Sequence, residues 1–275
     1  MAIQIGTNDL KRLSCLEPPG CRSETLLHPF NPKETIELAL FQEHRFAFYY
    51  WNTWTNQLNG EIPSLVTFDW HQDLCPPYND ELDELKSLDN TNKGELAIYT
   101  WAKLSHQNDV QIKAALLLNK INDVYVICRQ KCSRPQQETV VDFHGNSHSI
   151  RIFDSLSEFQ SHSADISDQK LYFDIDLDFF TISNPISIGG FAQKKRFTCL
   201  SKKEIIQSMN LCNPAIAWIL KNVAGITIAT EPEFCGGLKQ SHYFLSVIDQ
   251  LYFNPSLFHN APGERGTQWR HMNKR

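Results

Sequence analysis

A chain of 275 residues, 41% hydrophobic and 21% charged, carries enough apolar material for a substantial buried core and has neither a disordered nor a fibrous composition. Its formal net charge of −5 argues against a nucleic-acid partner, which would select a basic face. No apolar run approaches bilayer-spanning length, and the opening Met1-Ala2-Ile3-Gln4-Ile5 lacks the basic and apolar regions of a secretion signal, so a cytoplasmic protein with no membrane partner is expected. The eight scattered cysteines fit thiols in a reducing compartment.

Residues 1–32 contain Pro18, Pro19, Gly20, Pro29 and Pro32 and read as irregular. Pro32 suits a helix start. Residues 33–51, where Ile36, Leu38, Leu40, Phe41 and Phe48 interleave with Glu34, Glu37 and Glu43, then predict a helix carrying His44 near its end. A strand over 64–69 is followed by the loop Cys75-Pro76-Pro77-Tyr78, and helical segments over 80–88, 95–105 and 109–119. A strand over 123–128, a strand-turn-strand over 138–153, a short helix over 155–161 and a strand over 170–176 come next. After a long Gly- and Ser-containing loop, a helix over 202–211, a strand over 225–230 and a helix over 239–253 complete the pattern.

Strands alternating with helices require crossover connections. They predict one α/β domain over 1–275, a three-layer αβα sandwich around a mainly parallel sheet. Such sheets bind ligands beyond the carboxyl ends of their strands, where Asp69, Asp174 and Glu231 all fall. Cys128, Cys132, His144 and His148 have spacing close to that of a zinc finger. Here, however, the histidines bracket a turn between strands rather than riding a helix, so the match reads as accidental.

Two acidic strings carry the chemistry, Asp69-Trp70-His71-Gln72-Asp73 and Asp174-Ile175-Asp176-Leu177-Asp178. Side chains alternate along a strand, so Asp69, His71 and Asp73 share one face, as do Asp174, Asp176 and Asp178. Massed carboxylates at the end of an apolar strand must meet cations, donors or metal, because burying unpaired anions is prohibitively costly. A lone aspartate there commonly caps a turn. Five chemically suited groups in two strings are not explained that way. Asp69, His71, Asp73, Asp174 and Asp176 are therefore candidate metal ligands, with His44 as a sixth. The oxygen-rich set suits manganese or magnesium. It is large enough for two ions about 3.5–4 Å apart sharing a bridging hydroxide, with Asp73 and Asp174 placed to bridge them. His106, in Ser105-His106-Gln107-Asn108, is a candidate proton shuttle, with a solvated helix-end histidine as the alternative.

These segments resemble the metal-binding blocks of the arginase/deacetylase (ureohydrolase) superfamily. Asp69 to Asp73 is similar to its Asp-x-His-x-Asp block, and Asp174 with Asp176 to its pair of metal-binding aspartates. Glu43-His44 parallels the end of a Gly-Gly-Asp-His block. The family's later Asp-Pro is absent and Asp178 stands one residue early, so no role passes to Asp178. The wording of both strings is most similar to a divergent branch that includes the peptide arginases of ribosomal-peptide biosynthesis.

The resemblance implies an arginase-like fold, two Mn2+ ions (Fe2+ or Co2+ being alternatives) and hydrolysis of arginine in a ribosomally made precursor peptide to ornithine and urea. It makes Glu231 the guanidinium anchor with Glu233 as fallback; Asp73 is a candidate for accepting the hydroxide's proton and delivering it to the departing amine, and Trp70 a candidate substrate-binding residue. The loop Leu74-Cys75-Pro76-Pro77-Tyr78-Asn79-Asp80 lacks the pattern by which relatives read free arginine, which favours a peptide. The alternatives are a single-metal deacetylase or amidohydrolase of the same superfamily, and a catalytically inactive peptide-binding module.

Overall fold

The structure, a computed structural model, describes residues 16–58, 60–130, 135–163, 166, 170–183, 197–259 and 266–272. The chain begins with β1 (Arg22–Leu27) and β2 (Thr35–Phe41), a 3-10 turn (His44–Phe46) and α1 (Ala47–Thr55). Next come β3 (Ser64–Asp69), α2 (Asn79–Ser87), α3 (Lys93–Ala102), α4 (Gln111–Leu117), β4 (Val124–Cys128), β5 (Gln137–Val141), β6 (Ser147–Phe153) and α5 (Leu156–Ser163). β7 (Leu171–Asp176) runs into a 3-10 turn (Leu177–Phe180) and β8 (Thr181–Ser183). The described chain continues with β9 (Thr198–Cys199), α6 (Lys202–Met209), α7 (Pro214–Asn222), β10 (Val223–Ala229), α8 (Pro232–Cys235) and α9 (Leu238–Tyr252).

The expected helix over 33–51 is a strand, a turn and the start of a helix. Ile36 and Leu38 enter one core while Ala39 and Phe41 enter the other, a two-residue period that the mixed helical spacing concealed. β2 lies between β1 and β10, and that pairing overrides any local helical preference. β1 itself falls in the segment read as irregular. Its burial is confined largely to Leu26, and as an edge strand it needs no alternating apolar face. α7 was absent from the sequence expectation, although Asn213 caps it, Pro214 opens it, and Ala215, Ile216, Ile219 and Leu220 form its buried stripe.

The main sheet has eight strands in the order β1-β2-β10-β7-β3-β4-β6-β5. The six from β2 to β6 pair in parallel, and β1 and β5 flank them antiparallel. All residues of β3 and β7 are buried, as central parallel strands covered on both faces must be. One core holds Val66, Phe68, Phe173 and Ile175 against α5, α6, α7 and α9; the other holds Leu65 and Tyr172 against α1 to α4. Helices thus cover both faces of a mixed α/β fold.

From β3 the chain moves to β4 and β6, then returns to β7 on the other side of β3 and moves away again to β10. β3 and β7 are neighbours whose onward connections diverge, which opens a crevice above their carboxyl ends. No helix among the described residues is long and apolar enough to cross a membrane.

Candidate metal centre

Four strand ends supply this crevice: β2 through the turn bearing His44, β3 through Asp69 and the residues after it, β7 through Asp176 and its 3-10 turn, and β10 through Glu231. Three overlapping groups have ligand atoms within 4.8 Å of one another: His44, Asp69 and Asp73; His44, Asp176 and Glu231; Asp69, His71 and Asp178. His44 and Asp69 each belong to two groups and join all three into one cluster.

The carboxylates share a local design. Asp69 accepts the His71 N–H on Oδ1 at 2.6 Å, Asp176 accepts the Asp178 N–H on Oδ1 at 3.0 Å, and Asp178 accepts the Trp70 N–H on Oδ1 at 2.9 Å. The last bond ties the two strings together. Each second oxygen turns to an imidazole: Asp69 Oδ2 lies 3.5 Å and Asp176 Oδ2 3.3 Å from His44 Nδ1, and Asp178 Oδ2 2.9 Å from His71 Nδ1. Asp73 Oδ2 is 2.9 Å from His44 Nδ1 and accepts from Gln111 Nε2 at 2.7 Å. Glu231 Oε1 accepts the His44 N–H at 3.0 Å and the Asn108 amide.

Backbone strain concentrates in the same place. Asp73, Asn108 and Glu231 have φ of 47°, 56° and 27°, a region that non-glycine residues rarely adopt. The surrounding packing and hydrogen bonds must hold them there, and each then presents its side chain to the cluster.

The electrostatics are those of a largely buried anionic cluster. Burial, then the neighbouring carboxylates, push Asp69 and Asp176 well above the ordinary carboxyl range. Burial and the nearby Asp73 and Asp178 raise Glu231 to about 8, although His44 opposes them. Burial alone would lower both histidines. Asp174, Asp73 and Asp176 nonetheless raise His44 well above its usual value, and Asp178 is the main partner raising His71 to about 9. Carboxylates forced toward protonation are a strained way to balance this charge, which divalent cations would relieve.

The donor set fits such ions. Asp69 Oδ2 is buried and accepts no hydrogen bond, an orphaned acceptor of the kind a cation satisfies. Carboxylate oxygens with two imidazoles match manganese, iron or cobalt in type.

Several sequence expectations are relocated. Asp174 belongs to none of the three groups. Its Oδ2 accepts from Thr67 Oγ1 at 2.7 Å and faces His44 Nε2 at 2.7 Å, while its Oδ1 accepts from Thr227 Oγ1 at 2.6 Å. Asp178, given no role from sequence, takes the place among the grouped ligands. The 3-10 turn after β7 redirects the string, so the strand's alternation does not extend to it. His106 is exposed in the turn after α3 and lies near Glu81; that segment delivers Asn108 to the site instead. Glu233 is exposed in the first turn of α8.

Trp70 is half-buried and packs edge-on to His71, with ring centroids 4.9 Å apart, and Phe234 packs on His71 at the same separation. Phe234, Asn108, Gln111, Thr67 and Thr227 carried no motif that could have singled them out. Of the dismissed zinc-finger pattern, Cys128 is buried and bonds the Trp70 carbonyl, His144 is exposed, His148 lies 3.4 Å from Asp142, and Cys132 falls outside the described residues.

No family model matches this chain, and no curated protein matches it.

Proposed function

We propose that this protein is an arginase-like ureohydrolase that binds two manganese ions and converts arginine in a ribosomally made precursor peptide to ornithine and urea. The observation that carries the proposal is the convergence of His44, Asp69, His71, Asp73, Asp176, Asp178 and Glu231 at the switch point between β3 and β7. Of these, His44, Asp69, His71, Asp73, Asp176 and Asp178 are the ones that would hold the metals. When bound, the ions supply a water activated as a nucleophile at neutral pH. The likeness of both acidic strings to the peptide-arginase branch supports the substrate assignment.

The chain's own groups supply the rest. Asp73, steadied on Oδ2 by Gln111, is the group that accepts the water's proton and passes it toward the departing amine. Glu231, held by Asn108 and the His44 N–H, is placed to hydrogen-bond the planar guanidinium and orient its carbon. Trp70 and Phe234 flank His71 with apolar rings that keep bulk water from the reacting groups.

The loop after Asp73 favours a peptide over free arginine. The Cys75 N–H bonds the Asp109 carbonyl at 2.8 Å, which ties this loop to the segment bearing Asn108, and Tyr78 is 51% exposed beyond it. An aromatic, proline-rich rim suits peptide backbone and apolar side chains better than it suits charged α-amino and α-carboxyl groups.

The test is intact-mass analysis of arginine-containing peptides incubated with the manganese-loaded protein. A loss of about 42 Da per processed arginine follows from exchanging guanidine for amine. The loss should vanish in Asp73→Asn, and efficient turnover of free arginine alone, assayed in parallel, would overturn the peptide assignment. Unchanged masses across peptides of varied sequence, with two ions bound, would remove the arginase reading.

A further inference from the structure

We propose that Arg129 is a specificity-determining residue that binds a carboxylate of the substrate peptide, either an acidic side chain beside the processed arginine or the peptide's own C-terminus. This deepens the ureohydrolase reading above and rests on it for the identity of the reacting arginine.

Arg129 follows the last residue of β4 and is held between the two acidic strings. Its N–H bonds the Asp69 carbonyl at 3.4 Å, and the next N–H, that of Gln130, bonds the Trp70 carbonyl at 2.8 Å. Its side chain crosses to the turn after β7, where Nε donates to the Phe179 carbonyl at 2.5 Å, one residue beyond Asp178. The guanidinium also lies over the Phe179 ring, 4.5 Å from its centroid. That ring is buried and packed on Phe68 and Phe180, whereas Arg129 itself is exposed. One hydrogen bond and one stacking contact thus fix the plane of an arginine at the rim of the cluster.

The head group held in this way is not used up. Among the described residues, nothing accepts a hydrogen bond from Nη1 or Nη2, and no carboxylate pairs with the guanidinium. Glu204 is near enough to favour the charged form, but its Oε2 takes the Ser201 N–H and hydroxyl, each at 2.7 Å. Arg45, beside His44, is by contrast buried and paired with Glu43 at 2.8 Å. Charge decides what the open fork would meet. A cation at the edge of an anionic cluster works against an incoming guanidinium unless the same ligand brings an anion to it. A peptide with a carboxylate close to its arginine satisfies both, the guanidinium at Glu231 and the carboxylate across Nη1 and Nη2 as a planar, two-bond pair.

The experiment measures, by titration calorimetry at fixed salt, the binding of four peptides that share one arginine. They differ only in acidic or neutral flanking residues and in a free or amidated C-terminus. Manganese-loaded wild type, Arg129→Gln and Arg129→Lys are compared, and each mixture is also followed by intact mass. The wild type should bind peptides bearing the recognised carboxylate about three- to tenfold more tightly than those lacking it. A preference that follows the flanking residues assigns the carboxylate to a side chain, and one that follows the terminus assigns it there. The preference should vanish in Arg129→Gln and survive only in part in Arg129→Lys, which keeps the charge but not the fork. Because the readout is a ratio within each variant, a general loss of stability does not mimic it.

Equal affinities of the wild type for all four peptides would overturn the inference. So would a preference that persists undiminished in Arg129→Gln, which would assign the carboxylate to another cation. Neither outcome touches the ureohydrolase reading. That reading falls instead if no peptide loses mass while the charge preference and its dependence on Arg129 hold.

Discussion

Asp69, Asp176 and Asp178 each commit one carboxylate oxygen to a backbone N–H and turn the other inward. That arrangement keeps anions in place without neutralising them, which is what a metal site requires of its first ligands. It makes Asp178→Asn informative. The amide can still accept from the Trp70 N–H but presents a weaker ligand beside His71. Bound manganese, measured by elemental analysis after dialysis, should fall from two ions per chain toward one, and a count that stays at two would place the second ion elsewhere. At this scale the sequence was legible where the residue types are chemically rare: two acidic strings after apolar runs mark the site. It was not legible for Asn108 and Gln111, common polar residues whose importance lies only in being aimed at Glu231 and Asp73.

Among the elements, β10 shows how tightly the sheet is covered. A Cβ on Gly225 would come within 2.7 Å of the Trp54 ring, so the helix above can approach only because that position is bare. Gly225→Ala should cost about 1–3 kcal/mol by overpacking, read as a lower midpoint in urea, and an unchanged midpoint would mean that α1 shifts freely.

The β5–β6 hairpin offers a pH probe away from the site. Burial would raise the Asp142 carboxyl, but bonds from the Asn146 side chain and backbone and from the His144 N–H outweigh it and hold the group down to about 2. Because the folded value lies below the unfolded one of about 3.9, the stabilisation is fully present above pH ~4 and is lost as pH falls toward 2. Asp142→Asn should therefore lower stability at neutral pH and converge with the wild type near pH 2; a constant difference across that range would discount the carboxylate.

The helix α6, with its Ser201 and Glu204 capping box, was readable from the chain, whereas α7 was missed despite its Asn213 cap and Pro214. β2 was not readable either, because an alternating run of three aliphatic residues flanked by glutamates fits either period until a partner strand selects one.

Across the whole molecule, the candidate centre depends on strands far apart in sequence, and metal should bind the folded chain alone. Each ion at a free concentration one hundred times its Kd should add about 2.7 kcal/mol. A calorimetric scan with Mn2+ should thus show Tm raised by several degrees and restored by chelator, and an unchanged Tm would count against the centre.

The sequence by itself determined that the chain alternates strands and helices, that a hard, oxygen-rich site stands at strand ends, and which two strings carry it. Those are local properties, set by side-chain type and by the two-residue period of a strand. Only the tertiary structure decided that His44 sits on a turn after a strand rather than on a helix, that Asp178 and not Asp174 falls in the groups that could hold an ion, and that Asn108 rather than His106 reaches the cluster. The reason is that strand order, register and the 3-10 turn after β7 choose which side chains meet, and no short segment carries that information alone.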